Sequence, residues 1–306
     1  MNRSIVCLLL GLFVTISRPG IAEDDKKVTL EETLMPLIKA HQGEVAVAIK
    51  HLKTGESFYY RADEPMPTAS LIKLAVMIEG YRQAAEKKVD LDAPVTLKES
   101  DKVPGSGILK YHFSAGTTFP LRDAVHLMMY ISDNTATNLV LDRIGIASTG
   151  ETMEKLGYPN TKIHSKVFRR DTSVAMERSK RFGLGSTTAN EMLELCEQIQ
   201  KKELVSAAAS EEMLKHMRAC EDKDKFPRFL PSDTPLAFKT GSVDDIRTAA
   251  GIIEGPRGPI AICVLTEKNV DQRYETDNAG NVLCAKIAKV VFDHFEKMDE
   301  KKNDKK

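Results

Sequence analysis

Strand signals lie near both ends of this sequence and a long helical stretch separates them, so any sheet the chain builds has to join distant segments. Glu44 to Leu52 alternates as a strand, Val45, Val47 and Ile49 against Ala46, Ala48 and Lys50, and a hairpin through Thr54-Gly55 leads to a second strand, Ser57 to Arg61. Far downstream, Arg247 to Glu254 and Pro259 to Glu267 form another pair around Gly255-Pro256-Arg257-Gly258, with Leu236 to Thr240 reading as a strand just before them. Helices are predicted for Thr29 to His41, with Gly43 past its end, and for Asn278 to Lys297. Between the strand pairs the helical segments are Ser70 to Ala85, Leu121 to Ile131, Thr135 to Ile144 stopped by Gly145, Glu151 to Leu156 stopped by Gly157, and Ala189 to Gln200 behind a capping box, Thr188-x-x-Glu191. The pattern predicts an α+β fold, an antiparallel sheet formed from both chain ends and flanked by helices, with an all-α insert. The corresponding boundaries are 23–62 plus 233–306 for a discontinuous α/β part and 63–232 for the insert. One long loop, Lys162 to Ser186, stands out as a place where function concentrates.

Composition narrows the partners. Of 306 residues 42% are hydrophobic, which supports a large core, and Lys+Arg 44 balance Asp+Glu 44, which argues against nucleic acid or an anionic membrane as a partner. The seven histidines and five cysteines show no H-x-H, H-x-x-x-H or C-x-x-C spacing, so neither a metal nor a cofactor is expected. An apolar stretch from Ile5 to Ile16 is too short to span a bilayer, and small residues lead up to Ala22, the pattern of an export signal over residues 1–22. An uncut anchor is the alternative, although Gly, Ser and Pro interrupt the apolar run. Export predicts a periplasmic or secreted monomer with no stable membrane span after cleavage. Cys7 lies too deep in the apolar run to anchor a lipid. Cys196, Cys220, Cys263 and Cys284 remain, and two disulfides or four buried free thiols are both open. The residues from Asp299 to Lys306 read as a solvated charged tail.

The functional argument starts from Lys73. From Leu71 to Ile78 every other residue is apolar, so this helix is buried nearly all round and its lysine needs a partner or a depressed pKa. Ser70 lies three residues earlier on the same face, one turn nearer the helix start, where free N–H groups favour a developing anion. A serine hydroxyl is a poor nucleophile until a base takes its proton, and a desolvated lysine can serve as that base. The S-x-x-K spacing alone is weak, since ordinary usage yields roughly one per 300 residues. Two further clusters strengthen it: Ser132-Asp133-Asn134, which by itself reads as a helix-capping turn, and Lys239-Thr240-Gly241 at a strand end. Lys-Thr-Gly also occurs at Lys53 to Gly55, where it is a hairpin turn.

In order and spacing the three clusters resemble those of class A β-lactamases and penicillin-binding proteins, and the stretch from Leu121 to Gly145 looks like the class A helix pair around its second motif. The resemblance implies Ser70 as the acylated nucleophile, Lys73 as proton acceptor and Ser132 as proton relay to the leaving nitrogen. It implies Asn134 on the substrate's side-chain amide, Lys239 and Thr240 on its carboxylate, and Gly241 leaving room for the ligand. The oxyanion hole would be the amides of Ser70 and Ser242. Arg247 is assigned to the carboxylate with Lys239, a solvent-facing strand end being the other reading.

One departure is serious. Class A enzymes carry Glu-x-x-x-Asn in the long loop, positioning the water that releases the acyl-enzyme, and nothing between Lys162 and Ser186 matches. Asp171 and Glu177 are the nearest carboxylates there, among Arg169, Arg170, Arg178, Lys180 and Arg181, and Glu177 is the candidate base. Three activities follow: a β-lactam hydrolase with slow deacylation, a D-Ala-D-Ala peptidase acting on peptidoglycan peptides, and a penicillin-binding protein acylated without turnover. A Ser-His-Asp hydrolase is disfavoured by the lack of G-x-S-x-G.

Overall fold

Alternation of large and small side chains along the strands explains how one sheet is covered on both faces. In a computed structural model describing residues 28–255 and 257–297, the strands β1 (Glu44–His51), β2 (Ser57–Tyr60), β8 (Leu236–Val243), β9 (Ile246–Gly255) and β10 (Gly258–Glu267) form an antiparallel sheet of order β2-β1-β10-β9-β8. Val45, Val47 and Ile49 point to the same core as helices α1 (Leu30–Ala40) and α10 (Ala279–Lys297). Ala46 and Ala48 point to the larger core, where their small size lets helix α8 (Ala189–Gln200) approach the sheet. Lys50 follows that face and reaches Glu197 of α8 at 2.8 Å.

The segment between the strand groups is helical, as expected: α2 (Lys73–Ala85), α3 (Leu109–His112), α4 (Leu121–Tyr130), α5 (Asn134–Ile144), α6 (Ile146–Lys155) and α7 (Met176–Phe182) precede α8, and α9 (Ala207–Arg218) follows it. It also carries short strands that alternation over so few residues cannot reveal. β3 (Met66–Pro67), β6 (Lys162–Ile163) and β7 (Gly185–Thr187) make a small sheet, and β4 (Pro94–Thr96) pairs with β5 (Thr118–Pro120). The long loop is therefore held at both ends by strand pairing and contains α7. α6 begins five residues before the expected start, immediately after Gly145, whose φ of 84° ends α5.

Local signals were legible where one residue made the contact. Thr29 and Glu32 form a complete capping box at the start of α1. At α8 only half of the expected box forms: Thr188 accepts from the Glu191 amide, while the Glu191 carboxylate turns to Asn160 and Thr161. All four described cysteines are buried free thiols. No described helix is long and apolar enough to cross a membrane. The export-signal, lipid-anchor and charged-tail assignments lie outside the described residues.

Candidate active site

Ser70 lies in a 3-10 turn, Ala69–Ile72, that runs directly into α2, so Lys73 is the first residue of the helix proper. Ala69 takes φ 45° and Ser132 takes φ 57°, left-handed backbone that L side chains seldom adopt; such outliers cluster at functional sites. Asp133 holds the turn between α4 and α5. One carboxylate oxygen caps α5 through the Ala136 amide at 2.8 Å, and the other accepts from Ile108 at 2.7 Å and Leu109 at 2.9 Å. The 104–109 loop is strapped onto α5 in this way, and a β-carbon on Gly107 would collide with the Asp133 carboxylate.

The expected lysine is fully buried, but its amine faces Ser132 and Asn134. Lys73 Nζ is 2.7 Å from the Ser132 carbonyl oxygen, 3.1 Å from Ser132 Oγ and 2.9 Å from Asn134 Oδ1. The Ser70 hydroxyl makes no hydrogen bond among the described residues. On β8, Lys239 Nζ stands 3.1 Å from the same Ser132 Oγ and donates to the Thr240 carbonyl at 2.9 Å. Burial drives the Lys73 pKa well below its ordinary value and the Lys239 charge adds to this, with Asp133 opposing. Burial also lowers Lys239, against the opposing influence of Cys220 and Asp222. Ser70, Ser132, Lys239, Thr240 and Ser242 share the lining of a cleft of about 370 Å³. A second arm of about 520 Å³ runs past Ser70, Asn134, Phe168 and Tyr274.

Two expectations are corrected, at Glu177 and Arg247. Gly241 lines the cleft, and its missing side chain also makes room for the protein's own backbone: a β-carbon there would strike the Thr68 carbonyl oxygen and lie 2.8 Å from the Ser70 amide nitrogen. Glycine thus lets β8 close against the turn that carries Ser70, a contact that Thr248 Oγ1 reinforces by donating to the Thr68 carbonyl at 2.8 Å. Glu177 is not brought to the site: its side chain is 85% exposed on α7, paired with Lys180 at 2.7 Å, and lines neither arm of the cleft. Arg247 is neither solvent-facing nor aimed into the cleft. It is 1% exposed, and its guanidinium donates to the carbonyls of Asp244 and Ile246 at 2.8 Å and Arg273 at 2.6 Å, beside the Tyr274 ring.

Sequence reasoning missed Asp222 and Lys225, which sit in a charged run that reads as solvated surface. Lys225 is buried, its ammonium 2.9 Å from Asp222 and 3.0 Å from Ser242 Oγ. Burial would raise the Asp222 carboxyl, but the Lys225 charge and hydrogen bond outweigh it and hold the group at about 2. It also missed Gly105 and Ser106, whose neighbourhood, Pro104 to Gly107, carried a turn signal that could have found them.

Known proteins share this fold. The model of the β-lactamase enzyme family covers residues 29–295. A β-lactamase of Proteus vulgaris is 25% identical over 289 residues, 90% of this chain and 98% of that protein, and one of Streptomyces fradiae is 26% identical over 89% of this chain and 88% of its own length. Among solved structures, the β-lactamase from Sphaerobacter thermophilus DSM 20745 superposes with a TM-score of 0.76 at 25% identity, covering 86% of this chain and 96% of that one. The structure of PBP-A has the same TM-score at 23% identity, covering 88% and 96%, and a variant of it was solved as an acyl-enzyme complex with penicillin G. With three separate segments meeting around the Ser132 hydroxyl in a fold shared along most of its length, the chain belongs to the β-lactamase enzyme family.

Proposed function

We propose that this chain is an exported serine hydrolase that opens β-lactam rings through an acyl-enzyme on Ser70, with slow deacylation. The observation that carries the reading is the buried Lys73 amine, held against a Ser132 hydroxyl that Lys239 also reaches. A neutral amine has two N–H donors and one lone pair. The Ser132 carbonyl and Asn134 Oδ1 take the two donors, which leaves the lone pair for a hydroxyl proton.

In the reaction, the Ser70 hydroxyl oxygen attacks the lactam carbonyl carbon as its proton passes to Lys73, and the carbonyl oxygen becomes an oxyanion facing the Ser70 and Ser242 amides. The tetrahedral intermediate then expels the ring nitrogen, which takes the Ser132 proton while Lys73 returns its own to Ser132. Lys239, donating to Ser132 Oγ, stabilises the oxygen as that proton leaves. Asn134 Oδ1 keeps a lone pair for the substrate's side-chain amide, while its Nδ2 donates to the Pro104 carbonyl. Lys239 and Thr240 face the substrate carboxylate. In this reading 23–62 and 233–306 form one unit and 63–232 the other, with the reacting groups at their seam.

Release of the acyl group needs a water and a base. The long loop lends the cleft Ser165, Lys166, Phe168 and two arginines, and no carboxylate. That observation favours a second reading, a penicillin-binding protein or D-Ala-D-Ala peptidase in which a β-lactam adduct persists. Intact-mass measurement after mixing with penicillin tests both: an adduct absent from Ser70→Ala supports acylation at Ser70, its decay with product supports the hydrolase, its persistence the second reading, and no adduct refutes both.

A further inference from the structure

Lys225 is buried and lies outside the cleft lining, its partner Asp222 lines the cleft, and the pair reaches Ser242 through the Lys225 ammonium. Lys225 sits at the end of a strap that leaves α9, and the next residue, Phe226, is fully buried and packs on Phe238 of β8 at a ring-centroid distance of 6.1 Å. The strap is thereby held in place, and the lysine has little freedom to leave it. Its ammonium donates to Asp222 and to Ser242 Oγ. An ammonium has no lone pair, so at this contact Ser242 can only accept. The proton of Ser242 is then directed elsewhere, and no acceptor for it exists among the described residues. Ser242 is exposed and lines both arms of the cleft, between Ser70 and the Lys239-Thr240 segment.

We infer that Lys225 is a positioning residue for recognition of the substrate carboxylate: it polarises Ser242 and turns that hydroxyl outward as a donor to an anion in the cleft. A hydroxyl whose oxygen accepts from a cation is a stronger donor than a free one, because the bond chain is cooperative. Asp222 fixes the lysine by pairing with its ammonium at 2.9 Å. Arg247, the cation that the sequence offers for this task, is committed to backbone carbonyls, and the cation held against Ser242 is Lys225. The inference rests on the acylation reading and adds to it a residue that acts only on substrates bearing a carboxylate.

The test compares acylation rates of a penicillin and its methyl ester. Wild-type protein is expected to favour the free acid. In Lys225→Met the free-acid rate should fall about tenfold or more, the scale of one charge-assisted hydrogen bond, and the ester rate much less, so that the acid-to-ester ratio collapses. Lys225→Arg should restore part of the ratio. Ser242→Ala should lower it similarly, and adding Lys225→Met to that variant should lower it no further, since both changes break one chain of contacts. Asp222→Asn/Lys225→Met removes the unpaired buried carboxylate and gives the same comparison if the single variant folds poorly. A ratio that stays at the wild-type value, or falls as much again in the Ser242→Ala background, overturns the inference while leaving acylation standing. Failure of the wild type to form any adduct removes the acylation reading and this inference together.

Discussion

Lys73 and Lys239 converge on one oxygen, each nitrogen 3.1 Å from Ser132 Oγ, although one lysine starts helix α2 and the other lies on strand β8. Burial lowers both lysines, and Lys73, which also feels the Lys239 charge, is pushed well below its ordinary value. The proposed roles follow this difference, with Lys73 as the base and Lys239 as the cation.

Acylation should show an acid limb. Lys73 must be neutral to accept a proton, so the rate is expected to rise with pH through a value well below its ordinary 10.5 and to fall as acid protonates it. Stopped-flow acylation across pH measures this. A rate independent of pH along the whole acid side would remove Lys73 as the base.

Ser70→Ala and Lys73→Ala should each abolish acylation to a comparable extent, because nucleophile and base act as one unit and their losses do not add. For Ser70→Ala the stability change should be under about 1 kcal/mol, since only a hydroxyl without partners is lost. Measurable adduct on that variant by mass spectrometry would show that another serine reacts.

Gly241→Ala should cost about 1–3 kcal/mol and most of the acylation rate, because the new methyl group meets the Thr68 carbonyl and the Ser70 amide, neither of which can move independently of the turn. Chemical denaturation and acylation kinetics together check it. Wild-type values for both would mean that β8 does not close on the Ser70 turn.

Glu177→Gln should leave both burst and steady-state turnover of a penicillin unchanged, since the carboxylate lies in solvent beside Lys180. Accumulated acyl-enzyme in this variant would require the long loop to rearrange on substrate binding.

Asp222 supplies an acid-sensitive contribution to stability. Its folded pKa, about 2, lies below the ordinary 3.8, so its contribution is fully present above that ordinary value and is lost as pH falls through the folded one. Asp222→Asn should thus cost about 2 kcal/mol or more at neutral pH, and its deficit against wild type should shrink as pH drops toward 2. Denaturation midpoints of both proteins at several acid pH values measure the gap, and a constant gap contradicts the paired-carboxylate account.

Much of the frame was legible residue by residue. The β1 alternation, the box at Thr29 and Glu32, the Gly145 stop and the burial of Lys73 each follow from spacing within a few residues, where geometry is set by the chain itself. The Ser70 to Lys73 step belongs to this class, because residues three apart share a helical face. Short strands such as β3 and β6 escaped because two residues carry no period.

By itself, then, the sequence determined that the chain ends share one sheet, that a helical insert divides them, and that a lysine one turn from Ser70 has to be buried. Tertiary structure alone decided where that lysine points, that Gly241 makes room for Thr68 and Ser70, that Arg247 turns inward to carbonyls, and that Lys225 stands behind Ser242. The reason is that periodicity specifies which face of a segment is buried. It does not specify which group on a segment far along the chain will meet it, and the reach from Thr248 back to Thr68 exists only after the sheet has closed on the Ser70 turn.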